Sequence, residues 1–235
     1  MSDEQVRYNE TAVHFEVDEL PSLLAEHLPP GPLALADFGC GDGPLFGVLA
    51  RRGHIGPERL VCAVDLEERR LARVAARLPF VTTCVSPADS VPDIGDASLD
   101  WVLSTMVMEH VPDEARYLGE IRRVLRPGGR AYISTVFKKP WAWYFRKRDG
   151  ETVLDTSHLR EYTDLAAFTS SLMENQRFRR LVAIELSPMW FPLLDPLLFR
   201  LAGRGWLRSP VLLRRLRSMK VPIPGYYTLE VIVER

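Results

Sequence analysis

Two carboxylates beside a run of glycines, and two histidines far from them in sequence, are the residues of this chain placed to do chemistry. The segment Ala36-Asp37-Phe38-Gly39-Cys40-Gly41-Asp42-Gly43 alternates glycine with small or acidic residues. With no Cβ at Gly39, Gly41 and Gly43, the backbone can turn tightly and a ligand can approach main-chain N–H groups. Asp65 ends the apolar run Leu60-Val-Cys-Ala-Val64. A carboxylate at that place can accept both hydroxyls of a ribose, so the two elements together point to a nucleoside-containing ligand and leave its identity open. Proton transfer is offered by His110, next to Glu109, and by His158 in Asp155-Thr-Ser-His158-Leu-Arg160-Glu161. An imidazole titrating near neutrality suits removal of a proton from a hydroxyl. A third histidine, His14, lies in the N-terminal segment.

These residues need a scaffold, and apolar periodicity supplies one. The spacing predicts helices over 17–27, 45–52, 67–78, 113–125 and 163–175. It predicts strands over 33–38, 60–64, 80–85, 99–105, 130–137, 180–186 and 228–233. Pro29-Pro30-Gly31 breaks the first helix, Asp113 caps the fourth, and Pro127-Gly128-Gly129 turns the chain into the fifth strand. Alternation of this kind implies right-handed βαβ units, a mainly parallel sheet and helices on both faces. The glycine-rich turn and Asp65 then share the carboxyl edge of the sheet, where ligands of α/β folds bind. One domain over 31–235 is expected, with 1–30 as an N-terminal helical lid and 188–225 as a helical insertion before the last strand. Tyr8 and Phe15 of the lid are placed to lie over the cofactor.

Three further segments narrow the ligand. They are Asp96-Ala-Ser-Leu-Asp-Trp-Val102, Ser104-Thr-Met-Val-Met-Glu109-His110-Val-Pro-Asp113, and Glu120-Ile-Arg-Arg-Val-Leu-Arg-Pro127-Gly128-Gly129. In this order and spacing the motifs resemble the class I, Rossmann-like S-adenosylmethionine-dependent methyltransferases. The likeness is greatest to the small-molecule branch that includes quinone-biosynthesis enzymes (methyltransferase type 11). It runs from about Leu33 to Phe137 and returns at Asp155 to Thr163.

The resemblance implies a seven-stranded sheet whose last strand is antiparallel, S-adenosylmethionine along its carboxyl edge, and S-adenosylhomocysteine as product. Carried over by position, Asp37, Gly39, Cys40 and Gly41 face the methionine part, with Gly43 completing the turn. Asp65 holds the ribose and Leu66 lies against the adenine. Asp89 is assigned to the adenine amine, with Ser86 as the alternative, and Ser104 is placed on the cofactor side after the fourth strand. His158 is the candidate base and His110 the second catalytic candidate. Glu109-His110 also resembles part of a metal-binding Glu-x-x-Glu-His pattern, but Met106 occupies its first position. A hard cation wants more oxygen donors, so no metal is expected.

The implied reaction is methyl transfer to a small-molecule acceptor. The ending Ile223-Pro224-Gly225-Tyr226-Tyr227 tilts the reading toward O-methylation in a glycan, lipid-linked or natural-product pathway. The aromatic and cationic run Lys138 to Arg146 is expected to wall the acceptor, unless it folds its aromatics into the core. A methyltransferase-like domain that binds cofactor without turnover is an alternative. An NAD(P)-dependent oxidoreductase is disfavoured by the Pro-Gly-Gly turn and by the lack of a Tyr-x-x-x-Lys pair. No nucleic acid is expected, because no Asn-Pro-Pro-Tyr motif follows the fourth strand and the basic residues gather in one late segment.

Composition bounds the rest. The 235 residues carry a net charge of −1 and are 46% hydrophobic, ordinary for one globular domain. No run reaches the ~18 apolar residues of a membrane span, and the polar start MSDEQVRYNE does not read as a signal peptide. A cytoplasmic protein is expected, its oligomeric state open. Cys40, Cys62 and Cys84 lack metal-ligand spacing and read as buried hydrophobes. Between Asp195 and Glu230 no acid interrupts Arg200, Arg204, Arg208, Arg214, Arg215, Arg217 and Lys220. With Phe199, Leu201, Trp206 and Leu207, they make 196–220 a candidate for peripheral membrane contact, or else a solvated lid or dimer face.

Overall fold

The computed structural model describes residues 17–174, 177–192 and 220–235, with the backbone alone at 191 and 192. The strands are β1 (Leu35–Phe38), β2 (Val61–Asp65), β3 (Thr82–Val85), β4 (Leu99–Thr105), β5 (Leu125–Lys138), β6 (Lys147–Arg148), β7 (Glu151–Thr152), β8 (Arg180–Pro192) and β9 (Lys220–Glu234). The helices are α1 (Ser22–His27), α2 (Pro44–Arg51), α3 (Glu68–Arg77), α4 (Glu114–Val124) and α5 (Leu165–Met173). Seven strands form one sheet in the order β3-β2-β1-β4-β5-β9-β8. β9 runs antiparallel to both β5 and β8, and the pairs among β1 to β5 are parallel. This is the α/β architecture expected from the sequence.

Residue alternation along the strands builds a core on each face of the sheet. Leu35, Ala63, Trp101, Leu103, Tyr132 and Ile232 point to one side, where they meet Leu23 and Leu24 of α1, Phe46 and Leu49 of α2, and Leu71 and Val74 of α3. Ala36, Phe38, Val64, Val102, Ile133 and Val231 point to the other, against Tyr117, Leu118 and Ile121 of α4 and Phe168 and Leu172 of α5. Asp113 caps α4 by accepting from Arg116 N–H at 3.0 Å, as its sequence position suggests. Asp164 caps α5 in the same way from Ala166 and Ala167.

The boundaries differ from expectation where proline is involved. α1 begins only at Ser22, after Pro21, because a proline holds the preceding residue out of helical conformation. The described part of the 1–30 segment is therefore a short helix packed through Leu23 and Leu24 into the core. Residues 1–16, with Tyr8, His14 and Phe15, lie outside the described residues. Pro127-Gly128-Gly129 does not precede β5 but forms an irregularity within it, between the pairs Leu99↔Leu125 and Trp101↔Arg130. Gly129 passes so near neighbouring backbone that a Cβ would lie 2.9 Å from Arg126 O.

The expected helical insertion is also corrected at both ends. Trp190↔Pro222, Phe191↔Val221 and Pro192↔Lys220 continue the β8/β9 ladder, so 188–192 and 220–225 are strand. Pro188, Pro222 and Pro224 read as loop because proline donates nothing to a ladder. Pro188 is accommodated by a register shift between Pro188 and Trp190, on the strand at the sheet's edge. Residues 193–219, with Phe199, Trp206 and the arginine run, lie outside the described residues. No helix among the described residues is long and apolar enough to cross a membrane.

Candidate active site

The glycine turn is held open by its own backbone bonds. Gly39 and Cys40 N–H both donate to Val64 O, at 2.8 and 2.9 Å, clamping the end of β1 onto β2. Gly39, Gly41 and Gly43 have φ of +73°, +54° and +66°, a region that side chains disfavour. Gly39 also has no room: a Cβ would lie 2.4 Å from Val107 Cγ2. Gly43 caps α2, and Pro44 opens that helix with its missing N–H at no cost.

Asp65 is the bridge between this turn and the next helix. Its Oδ2 accepts from Gly41 N–H at 2.8 Å and its Oδ1 from Glu67 N–H at 2.9 Å. Each carboxylate oxygen keeps lone-pair capacity for a further donor. Leu66, next in sequence, is 70% exposed, an apolar surface free for a flat ring. Asp37 is buried, and its Oδ1 has no hydrogen-bond partner. Burial, reinforced by the nearby Asp65 charge, pushes the Asp37 carboxyl up to about 8. A cation placed against this carboxyl would favour its ionised form and draw that value back down.

The other cofactor-side residues divide. Ser104 is fully buried and its hydroxyl donates to Phe38 O at 2.9 Å, so it braces β4 against β1. Cys40 is buried, its thiol 3.4 Å from Gly41 O. Ser86 N–H donates to Asp65 O at 3.2 Å, which ties the segment after β3 to the site. Among the described residues no hydrogen bond or ion pair joins Asp89 to Asp65 or the glycine turn. Val85 pairs with Asp65 across the strands, which brings its neighbour Ser86 alongside, whereas Asp89 lies within the turn closed by Ser90 N–H to Pro87 O.

The two histidines, 48 positions apart, meet. Their ring centroids are 4.9 Å apart in an edge-on arrangement. His158 is buried with Nδ1 2.9 Å from Glu161 Oε1, which leaves Nε2 on the far side of the ring. Burial pushes the Glu161 carboxyl up, but bonds from His158 and Leu154 N–H and the Lys138 ammonium outweigh it and hold it below its ordinary value. Arg160 fastens the two loops together by donating to Met108 O, Val111 O and Pro112 O. Leu159 N–H adds a bond to Glu109 O at 2.8 Å. Met106, first in the loop after β4, has φ +56°, a strained conformation for a side chain that long.

Glu109 completes this cluster from below. It is fully buried, with Oε2 accepting from Thr135 Oγ at 2.7 Å and Oε1 without a partner. Burial raises its pKa despite the Thr135 bond and the neighbouring imidazoles. Glu109, His110 and His158 offer ligand atoms within 4.8 Å of one another. The sequence alone assigns Glu161 no role. The signal lay in the His158-Leu-Arg-Glu161 spacing, which puts the two side chains together in one turn. Asp149-Gly150, with φ of +53° and +86°, was a second unread signal, since it closes the β6/β7 hairpin beside this loop. Beneath that hairpin a cavity of about 420 Å³ opens onto Lys138, Arg148, Glu151, Arg160 and Glu161.

This geometry agrees with what comparison to other proteins finds. Residues 36–133 match the family model of a methyltransferase domain. A protein of Mycolicibacterium smegmatis, named a probable S-adenosylmethionine-dependent methyltransferase, is 34% identical over 145 residues, 60% of this chain and 50% of that one. The ubiquinone biosynthesis O-methyltransferase of Pseudomonas aeruginosa is 31% identical over 124 residues, 50% of each chain. The chain thus spans about half the length of these curated relatives. The structure of 1,6-didemethyltoxoflavin-N1-methyltransferase from Burkholderia thailandensis, solved with bound 1,6-didemethyltoxoflavin and S-adenosylhomocysteine, superposes with a TM-score of 0.57. It is 22% identical and covers 91% of this chain and 75% of that one. The matched segment contains the glycine turn, Asp65, Ser104 and Glu109-His110, and over it the chain is similar to S-adenosylmethionine-dependent methyltransferases.

Proposed function

We propose that this protein transfers the methyl group of S-adenosylmethionine to an oxygen of a small-molecule acceptor and releases S-adenosylhomocysteine. The observation that carries the reading is the buried, unpartnered Oδ1 of Asp37 beside the Asp65–Gly41 bridge. An amino acid ammonium matches the first, and ribose hydroxyls match the remaining lone pairs of the second. Leu66 supplies the apolar contact for the adenine, and Ser86 is better seated than Asp89 to meet its edge.

When bound, S-adenosylmethionine would supply an electrophilic methyl group to an acceptor lone pair, its sulfur retaining the electrons of the broken bond. The protein's part is to align donor and acceptor and to exclude water. The acceptor hydroxyl gives its proton to His158 Nε2, while Glu161 holds Nδ1 and favours the imidazolium that forms. His110 stands against the His158 ring and positions the acceptor. Glycan, lipid-linked and natural-product acceptors all present hydroxyls of this kind.

Calorimetric titration with S-adenosylhomocysteine, with NADH as control, tests the reading. Stoichiometric binding of the former alone is expected. Binding of NADH instead overturns it, and binding of neither leaves a domain without this cofactor.

A further inference from the structure

The loop after β5 is built inside out. Along Trp141-Ala142-Trp143-Tyr144-Phe145 the even positions turn inward and the odd ones outward. Tyr144 is buried against Val136, Ile223 and Tyr226, while Trp141, Trp143 and Phe145 are 58 to 65% exposed. Trp190, paired with Pro222, and Val221, near the end of the β8/β9 ribbon, are exposed as well. Three large apolar side chains exposed within five residues of one loop mark a binding face.

The loop and ribbon are fastened into one platform. Lys139 N–H donates to Gly225 O at 2.8 Å and Trp143 N–H to Pro224 O at 3.1 Å. Gly225 permits this approach, since a Cβ there would lie 2.6 Å from Ala142 Cα. The aromatics are therefore presented by fixed backbone at the carboxyl end of β5, on the same edge of the sheet as the histidine cluster.

Charge identifies the occupant. Lys138, Lys139, Arg146, Lys147 and Arg148 flank the aromatics against only Asp149 and Glu151 in the same stretch. Lys139, Lys147 and Lys220 have no ion pair among the described residues, and Lys139 sits 5.2 Å over the Phe137 ring. Tryptophans ringed by uncommitted cations suit the boundary between acyl chains and anionic headgroups. We propose that Trp141, Trp143, Phe145 and Trp190 dock the protein on an anionic lipid surface, with the lysines against the headgroups. The active-site edge then faces the bilayer, so the acceptor is an amphiphile drawn from it. That last step rests on the methyltransferase reading, whereas the docking face does not.

Co-sedimentation of the full chain with phosphatidylglycerol-containing vesicles tests the face, with pure phosphatidylcholine vesicles as control. The wild type is expected to sediment with the anionic vesicles and to be released as salt rises past the range where surface charges are screened. The triple variant Trp141→Ser, Trp143→Ser, Phe145→Ser is expected to lose at least about tenfold in partitioning. Unchanged S-adenosylhomocysteine binding by that variant shows that it is folded. Wild type that stays in the supernatant overturns the proposal, as does a triple variant that sediments undiminished. A wild-type dimer that the variant dissociates, with no vesicle binding, makes the face a self-association surface instead. Cofactor binding without vesicle binding removes only the docking face; vesicle binding without cofactor binding removes only the methyltransferase reading.

Discussion

The halves of this sheet's carboxyl edge are made by different means. On the β1/β2 side the site is main chain and carboxylates: Gly39, Gly41 and Gly43 in left-handed conformations, clamped to β2, with Asp65 tying turn to helix. On the β5/β9 side it is side chains on loops, brought from residues 106–112, 139–148 and 155–163 and locked by Arg160 and Glu161. On the proposed reading the first half meets what is constant, a ribose and an amino acid. The second can change its side chains without changing the backbone that carries them, which is how one fold serves many acceptors.

The contrast breaks most visibly at glycine. Gly39→Ala places a Cβ against Val107 at a positive φ, and S-adenosylhomocysteine binding is expected to fall at least a hundredfold, with a lower Tm. Gly150→Ala on the acceptor side also has positive φ but nothing within 4 Å, so urea denaturation should show a loss of only about 1 kcal/mol. Equal damage from both would erase the distinction.

Asp37 gives the next effect, and its sign is fixed by the raised pKa. The free protein holds a proton on Asp37 up to about pH 8, whereas an unfolded aspartate loses it near 3.8. The stability this proton confers is full below the unfolded value and is lost as pH rises toward 8. A cofactor ammonium reverses the preference, so binding at pH 7 should release a proton and tighten with rising pH. Calorimetry in buffers of different ionisation enthalpy reads that proton directly. Asp37→Asn should abolish the release and raise the Tm of the free protein more at pH 8 than at pH 5.

Glu161→Gln is expected to act on turnover alone. It removes the charge that orients His158 and should lower kcat roughly tenfold or more while leaving S-adenosylhomocysteine affinity unchanged. A change in cofactor affinity of the same size would mean that Glu161 merely holds the fold.

The meeting of the glycine turn with Asp65 was legible in the sequence because glycine spacing and a strand-ending carboxylate are local patterns with a physical meaning. The mainly parallel sheet followed from the alternation of strands and helices, and its antiparallel last strand from the family resemblance. Distance along the chain does not reveal the turn between Pro87 and Ser90, within which Asp89 lies. The β8/β9 ribbon was hidden by its prolines, which argue against strand unless a bulge on an edge strand absorbs them. The meeting of His110 with His158 could not be read from spacing, because tertiary folding alone joins the two loops. The inward and outward alternation at 141–145 was likewise invisible, since a run of aromatics has the same composition whichever side faces water.

The central claim is that the Asp65 carboxylate and the glycine turn form the cofactor's seat. The most direct test is titration of wild type and Asp65→Ala with S-adenosylhomocysteine, alongside thermal melts to confirm that both are folded. The account predicts a loss of more than about tenfold in affinity, in line with hydrogen bonds to a charged group. A folded Asp65→Ala protein that binds S-adenosylhomocysteine as tightly as wild type would contradict it.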